Sequence, residues 1–391
     1  MHILLANFTK MINDSGGLAK VTCTFANEML RRGYEVSLLY SDEKHGVFFY
    51  PVDEKLKCYN LKENADKSLI KFPLYLKAAR EMLRFFGKRP ARTVNSWFEE
   101  KNLLGNLGYY LQKINPDIIV SYQPAASKLL LCDLDTNIPV ITMSHGDPED
   151  YFHIYPVKEI PSLTKSAICQ VLMPSFEKHI KNHLPKARTI TIGNAIPQFA
   201  FSADLESNKD KYKLIFVGRL TKNHKRPHLL IQAFAKLAEK YPNWNVELWG
   251  ARDRKAYYKE LELLISKNGL QNRVFLKGAT NDVPSALKKA DIFVFPSAFE
   301  GFGMALAEGM SVGLPAIGYK TCPAVNELIK DGKTGLLCDD GVEPLTAAMD
   351  KLMGDRALRV QMGKAAKEDM AQYAPEKIWD QWEEIMRSIL K

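Results

Sequence analysis

Short runs of consecutive apolar residues alternate with amphipathic stretches along the first half of the chain. Runs at 2–7, 35–40, 117–122, 139–145, 169–174 and 189–193 each predict a strand. Runs without polar alternation suit a parallel sheet covered on both faces. Between the first two, Leu18, Val21, Phe25 and Met29 recur at helical spacing and Gly33 follows as a stop, so the opening reads as a βαβ unit. The pattern lapses over the polar, aperiodic stretch 201–211, and 198–211 is read as a linker. A second series follows, with strands predicted at 213–217, 245–249, 274–277, 291–295 and 315–318 and helices at 227–240, 254–267, 303–311 and 323–329. The tail places Ile378, Trp379, Trp382, Ile385, Met386 and Ile389 at helical spacing over 376–390, and a helix this apolar needs a surface to dock on. Two α/β series of similar size predict two doubly wound domains, 1–197 and 212–375, facing a cleft that the carboxyl ends of the strands would line.

Composition narrows the setting. At 391 residues the chain is long enough for two domains, and 46% hydrophobic with 25% charged residues is ordinary for a folded protein. The formal charge of +9 asks for an anionic partner. Nucleic acid fits the charge but no recognition motif accompanies it, so none is expected. Six cysteines form no Cys-x-x-Cys pair and no zinc-spaced cluster with histidine, which predicts reduced thiols in the cytoplasm. The opening apolar run lacks a basic flank and is too short for a signal peptide, and no stretch approaches the length of a membrane span.

The densest chemistry lies in the segment running from Phe295 to Glu308. There a strand ends, a glycine-containing loop turns and a helix starts, with Glu300 and Glu308 separated by seven residues. Gly301 and Gly303 let backbone approach a ligand. The helix start after Gly303 suits a diphosphate. Glu308 is placed for ribose hydroxyls and Glu300 for a transferred sugar. Arg219, leaving the strand at 213–217, and Lys225 set two cations beside that phosphate site, where they can stabilise a leaving diphosphate without a metal. The plainer reading of this loop is a solvated Lys/Arg turn, since Lys222 and Arg226 lie alongside. Ser15-Gly16-Gly17 after the first strand resembles a phosphate-binding turn but lacks the full G-x-G-x-x-G spacing, and Asp42 is a poor match for a nicotinamide-binding acid. His145 closes a predicted strand and is placed to meet a sugar. Asp133-Leu134-Asp135 has the form of a metal-binding D-x-D but sits where a turn is expected, and no other carboxylate or histidine cluster points to a metal.

These residues resemble the family 4 glycosyltransferases of the GT-B fold, from the Gly16-Gly17 loop to the last helix. The specific part is Gly218-Arg219-Leu220 with Lys225, then Gly278, Pro296-Ser297, Glu300-Gly301-Phe302-Gly303, Glu308, Gly313-Leu314-Pro315, Glu327 and Gly332-Lys333-Thr334-Gly335. The resemblance implies two Rossmann-like domains, with the last helix (376–391) crossing back to the first. It implies retention of anomeric configuration and no metal or other cofactor. Arg219 and Lys225 would hold the diphosphate and Glu308 the ribose. Glu300 and the backbone of Phe302, Gly303 and Met304 would line the sugar site, His145 would reach the sugar, and Gly17 would approach the phosphates. The expected donor is a UDP-sugar carrying a hexose or N-acetylhexosamine, and the expected acceptor a surface glycan or lipid-linked saccharide. This sequence departs from the family at the loop before Lys225, one residue longer than usual, and at 321–326, where Thr-Cys-Pro-Ala-Val-Asn replaces a common Gly-Gly.

Residues 67–101 interleave Lys67, Lys71, Lys77, Arg80, Arg84, Lys88, Arg89 and Arg92 with Leu69, Ile70, Phe72, Leu74, Tyr75, Leu76, Met82, Leu83, Phe85 and Phe86, and Pro73 and Pro90 are read as bounding a helix. Such a stretch fits an anionic membrane surface, an anionic saccharide, or an ordinary helix with one buried face. Two other readings of the whole chain stay open: a UDP-sugar 2-epimerase-like enzyme, which the paired glutamates oppose, and a non-catalytic subunit that binds glycan or a partner.

Overall fold

The structure is a computed structural model that describes residues 1–14, 16–280 and 282–391, so Ser15 of the Ser15-Gly16-Gly17 turn lies outside the described residues. It divides into two units, Met1–Gly193 together with Trp379–Lys391, and Asn194–Ile378.

In the first unit, β1 (His2–Asn7), β2 (Glu35–Tyr40), β3 (Lys57–Asn60), β4 (Ile118–Ser121), β5 (Val140–Met143), β6 (Ile168–Val171) and β7 (Thr189–Thr191) form one parallel sheet in the order β3-β2-β1-β4-β5-β6-β7. Its helices are α1 (Gly17–Arg31), α2 (Leu74–Leu83), α3 (Lys88–Ile114), α4 (Pro124–Lys128), α5 (Glu149–His153), α6 (Pro161–Lys165) and α7 (Pro174–His183). Edge strand β3 escapes the hydrophobic pattern because Lys57 and Cys58 face solvent. The long α3 buries Leu103, Leu107, Leu111 and Ile114 in a cluster with Leu4, Leu39 and Ile119 from the sheet.

One expectation is corrected here. Pro90 does not bound the helix that follows Pro73; it is the third residue of α3, where a missing N–H costs no helical bond. The chain instead turns through Arg84–Phe86 and Gly87, whose φ of +129° favours glycine.

In the second unit, β8 (Tyr212–Val217), β9 (Trp244–Trp249), β10 (Val274–Gly278), β11 (Ile292–Phe295), β12 (Ala316–Tyr319) and β13 (Gly335–Cys338) form a second parallel sheet in the order β10-β9-β8-β11-β12-β13. It carries α8 (Pro227–Leu237), α9 (Lys255–Lys267), α10 (Val283–Lys288), α11 (Met304–Ser311), α12 (Val325–Leu328), α13 (Val342–Gly354) and α14 (Arg356–Met370). The stretch read as a linker runs along this unit: Ala203 N–H donates to Val312 O (2.8 Å), and Leu205 is buried.

Both sheets reverse their winding once, between β1 and β4 and between β8 and β11. These are two Rossmann-like doubly wound folds, each with a topological switch point where ligands collect.

The last helix, α15 (Pro375–Leu390), gives its final turns to the first unit. Trp379 and Trp382 are buried with their rings edge-on to Phe25 of α1, at 5.5 and 5.0 Å. Around them Arg32 pairs with Glu28 (2.8 Å), Asp380 (2.7 Å) and Glu383, and Tyr34 donates to Glu383. The tail's apolar spacing is therefore a docking face on α1. Truncating such a ring costs about 3–5 kcal/mol. Trp382→Ala should accordingly lower the calorimetric transition of the first unit, and an unchanged transition would mean that the helix is not docked in solution.

Candidate functional site

The site in the second unit is built from the loops that leave the neighbouring strands β8 and β11. Gly218 follows β8, and a Cβ at Gly250 would come within 1.9 Å of its carbonyl oxygen, so only glycine at 250 admits this approach. Arg219, the next residue, is exposed at the carboxyl edge of the sheet.

The following loop is tied down. Ala298 N–H donates to His224 O (2.8 Å), and the Arg226 guanidinium donates to Pro296 O (3.0 Å) and Ser297 O (3.3 Å) and pairs with Asp340 (2.8 Å) above the Tyr319 ring. The reading of Arg226 as one more solvated cation is thus corrected: it clamps the two loops together. Lys222 does lie at the surface, paired with Glu260 (2.7 Å).

Lys225 Nζ and Glu300 Oε1 are 2.5 Å apart, with Glu300 only 8% exposed and the ammonium 4.7 Å over the Phe295 ring. Two roles that the sequence separates, diphosphate for Lys225 and sugar for Glu300, fall on one largely buried ion pair. His224, not singled out beforehand, stacks parallel on Phe299 (4.2 Å, 3°), bonds Phe299 O through Nε2 (2.8 Å) and sits 3.6 Å from Glu300. Burial pushes its imidazole below the usual histidine range against the pull of Glu300.

Gly301 and Met304 are partly exposed, while the Phe302 ring is buried edge-on to Tyr373, leaving its backbone as the part that can face a ligand. Gly303 caps α11 in the left-handed region (φ +88°, ψ +48°), and Glu308 is the fifth residue of that helix, half-buried.

At the head of α12, Ala324 adopts φ +64° and ψ −43°, a conformation costly for any residue with a Cβ. This is the place where the common Gly-Gly is missing, so the substitution leaves a strained alanine in the loop.

In the first unit, Gly16 caps α1 and its N–H donates to Asp14 (3.0 Å), while Gly17 faces open space where a Cβ would meet nothing within 4 Å. Asp42 is buried and accepts from Met11 N–H and Ile12 N–H (2.9 Å each), which fixes the loop after β1 and occupies the carboxylate.

His145 leaves β5 on a turn held by Ser144, whose hydroxyl donates to Gly146 O (2.8 Å) and accepts from Tyr151 (2.9 Å). Its ring stacks on Tyr122 (5.3 Å, 14°), and its Nε2 is buried without a hydrogen-bond partner among the described residues. Burial drives the imidazole down to about 4, so it is neutral at physiological pH. The Gln123 Oε1 is likewise buried and unpartnered. Tyr122 and Gln123 directly follow β4, the strand between β1 and β5. The strand-end argument that finds His145 applies equally to them and was missed.

The carboxylates of the D-x-D are engaged by Lys128 (Asp133, 2.6 Å) and Lys165 (Asp135, 2.9 Å). A carboxylate–histidine cluster that the sequence does not single out lies elsewhere: Glu149 Oε1 stands 2.9 Å from Nε2 of both His153 and His183. Their hydrogen bonds hold the Glu149 carboxyl below its usual range, against burial, and tie α5 to α7.

Two measurements test this geometry. Relief of the strain at position 324, less the extra freedom of glycine in the unfolded chain, should make Ala324→Gly more stable by about 1 kcal/mol in urea titration; a loss of stability would refute the strain. For His145 the folded value near 4 lies under the ordinary 6.5. The unfolded chain therefore binds a proton in that window that the folded chain does not. Stability should fall as pH drops from about 6.5 towards 4, by up to about 1.4 kcal/mol per unit, and His145→Gln should flatten that part of the profile. An identical profile in the variant would show that the imidazole is not held neutral.

Comparison with known proteins bears on the family and the fold. Residues 198–369 match the family model "Glycosyl transferases group 1". The chain is 24% identical over 385 residues to an "uncharacterized glycosyltransferase" of Haemophilus influenzae, covering 97% of this chain and 98% of that one. It is 26% identical over 396 residues to the amylovoran biosynthesis glycosyltransferase AmsD of Erwinia amylovora, covering 96% and 97%. Among solved structures, S. aureus TarM in complex with fondaparinux, alpha-GlcNAc-glycerol and UDP superposes with a TM-score of 0.74 at 16% identity, over 100% of this chain and 99% of that one, which speaks to the fold. The chain is a glycosyltransferase of the GT-B fold, with a group 1 glycosyl transferase domain in its second unit.

Proposed function

We propose that this glycosyltransferase retains anomeric configuration, needs no metal, and moves a hexose or N-acetylhexosamine from a UDP-sugar to a growing surface glycan or lipid-linked saccharide. The observation that supports the donor reading is that each unit, taken by itself, buries polar atoms past its strand ends without a partner among the described residues: His145 Nε2 and Gln123 Oε1 in the first, Ser297 Oγ in the second. Leaving such groups unpaired costs about 1–3 kcal/mol each, which a hydroxyl-rich ligand recovers. The glycan class is supported by the amylovoran enzyme, and a UDP donor by the UDP bound to TarM.

In this reading the anomeric carbon's bond to the diphosphate oxygen breaks as the acceptor hydroxyl oxygen bonds to the same face, and the acceptor proton passes to a diphosphate oxygen. Arg219 and the N–H groups opening α11 stabilise the departing charge. Lys225 reaches the diphosphate from its pairing with Glu300, and that pairing holds Glu300 towards the sugar. His145 and Gln123 bond sugar hydroxyls, Gly17 admits the phosphates, and Glu308 takes the ribose. The D-x-D carboxylates, already paired with lysines, are not assigned to a metal.

Thermal stability with UDP, GDP, TDP and ADP, each with and without chelator, tests the donor. UDP at about 100 times its dissociation constant should add roughly 2.7 kcal/mol, unchanged by chelator and diminished in Glu308→Gln. A shift confined to GDP would replace the donor, loss of the UDP shift on chelation would refute metal independence, and no shift with any nucleotide would favour a non-catalytic subunit.

A further inference from the structure

Helix α2 is inside out. In an amphipathic surface helix the apolar stripe faces the core and the polar face meets water. Here no residue of α2 or of the turn Arg84–Phe86 is buried. The most exposed side chains are the large apolar ones: Leu74 at 80%, Tyr75 at 69%, Met82 at 60%, Phe85 at 91% and Phe86 at 78%. At about 100° per residue, Leu74, Tyr75, Ala78 and Met82 share one sector of roughly 100°, and the two phenylalanines prolong it. The half-buried residues Leu76, Ala79 and Leu83 lie outside that sector, and α2 packs on α3. Two adjacent phenylalanines at a helix end, both turned to water, form an apolar protrusion of a kind soluble surfaces rarely keep without a partner.

Its surroundings are cationic. Over 71–88 the charged residues are Lys71, Lys77, Arg80, Arg84 and Lys88 against Glu81 alone. Glu81 is already held by Arg84 (2.7 Å) and Arg80 (3.3 Å); Lys77 is exposed with Glu43 from outside this stretch 3.9 Å away, and Lys71 and Lys88 are exposed. A second copy of this face would press one cationic ring against another in a two-fold interface. An anionic bilayer offers the opposite charge and an apolar layer for the rings in the same surface. Among the described residues no helix is long and apolar enough to cross a membrane, so attachment through such a face would be peripheral.

We propose that α2 and the Phe85-Phe86 tip form a lipid-docking face, with the aromatic tip inserted below the headgroups of an anionic bilayer and Lys71, Lys77 and Lys88 resting on the phosphates. The inference is independent of the donor assignment.

Flotation with phosphatidylcholine vesicles, with and without phosphatidylglycerol, tests it on the full chain. The protein should float with phosphatidylglycerol vesicles at low salt, and far less with phosphatidylcholine alone. Phe85→Ser with Phe86→Ser should cut partitioning by at least about tenfold, while the nucleotide-induced thermal shift stays as in the parent. Lys77→Glu with Lys88→Glu should abolish the preference for anionic vesicles. No flotation, or flotation indifferent to both double variants, would overturn the proposal. Concentration-dependent self-association lost in the serine variant would also overturn it, assigning the face to a second copy. A protein that floats but shows no nucleotide shift leaves the docking face standing and refutes only the donor reading.

Discussion

A parallel sheet wound in both directions must reverse once, and the loops leaving the two strands at the reversal part to opposite faces. In the second unit that reversal falls between β8 and β11, and the chemistry of the unit depends on it. The loop after β8 carries Arg219, His224, Lys225 and Arg226; the loop after β11 carries Glu300 and the glycines that open α11. Hydrogen bonding between the strands brings the loops side by side, and Arg226 then fixes their spacing through two carbonyls and Asp340. Without that clamp, the pairing of Lys225 with Glu300 would be two long side chains meeting at a surface, where an ion pair contributes little. Held in a buried corner, the pair is committed: removing either partner leaves a buried charge behind.

The same geometry explains what could be read from the sequence. Glu300, Gly301, Gly303 and Glu308 lie on one continuous strand–loop–helix, so local spacing was enough to place them. Arg226 and His224 act across roughly seventy residues of chain, through a register that no local pattern encodes, and Arg226 looked like one more lysine-rich-loop cation. In the first unit the buried strands and the tail helix were legible because their apolar residues repeat at strand or helix period. Edge strand β3 was not, since its exposed Lys57 and Cys58 erase the pattern, and Pro90 misled because proline is tolerated in the first turn of a helix as well as at a boundary. Tyr122 and Gln123 are hidden for a different reason: Tyr122 closes an apolar run and reads as its last core residue, and Gln123 stands just past that run, where only the fold shows its Oε1 buried without a partner among the described residues.

Some of the strain and some of the unsatisfied groups lie just past strand ends. Ala324 holds a positive φ in the loop before α12, Arg226 holds one before α8, and His145 keeps a desolvated, neutral ring. Each opposes folding by itself and persists because the surrounding sheet over-determines it. For Arg226 the compensation is visible in its bonds. For Ser297 Oγ, Gln123 Oε1 and His145 Nε2 the described residues supply none, so the free energy that folding leaves unrecovered there is available to whatever ligand brings the missing partners.

The helix α2 inverts this logic at the surface. Polar atoms buried without partners make a site for a polar ligand, and apolar rings exposed without partners make one for an apolar layer. The two can be told apart from ordinary packing by the same test, whether neighbouring protein atoms satisfy the group. The aromatic residues of α15 pass it, since Trp379 and Trp382 find Phe25. Phe85 and Phe86 fail it in the turn that ends α2, a helix that is amphipathic as α15 is. Amphipathic spacing therefore says that a face wants covering, and only the fold says whether the protein covers it; on α2 the described protein does not, and the flanking lysines set the charge of what can.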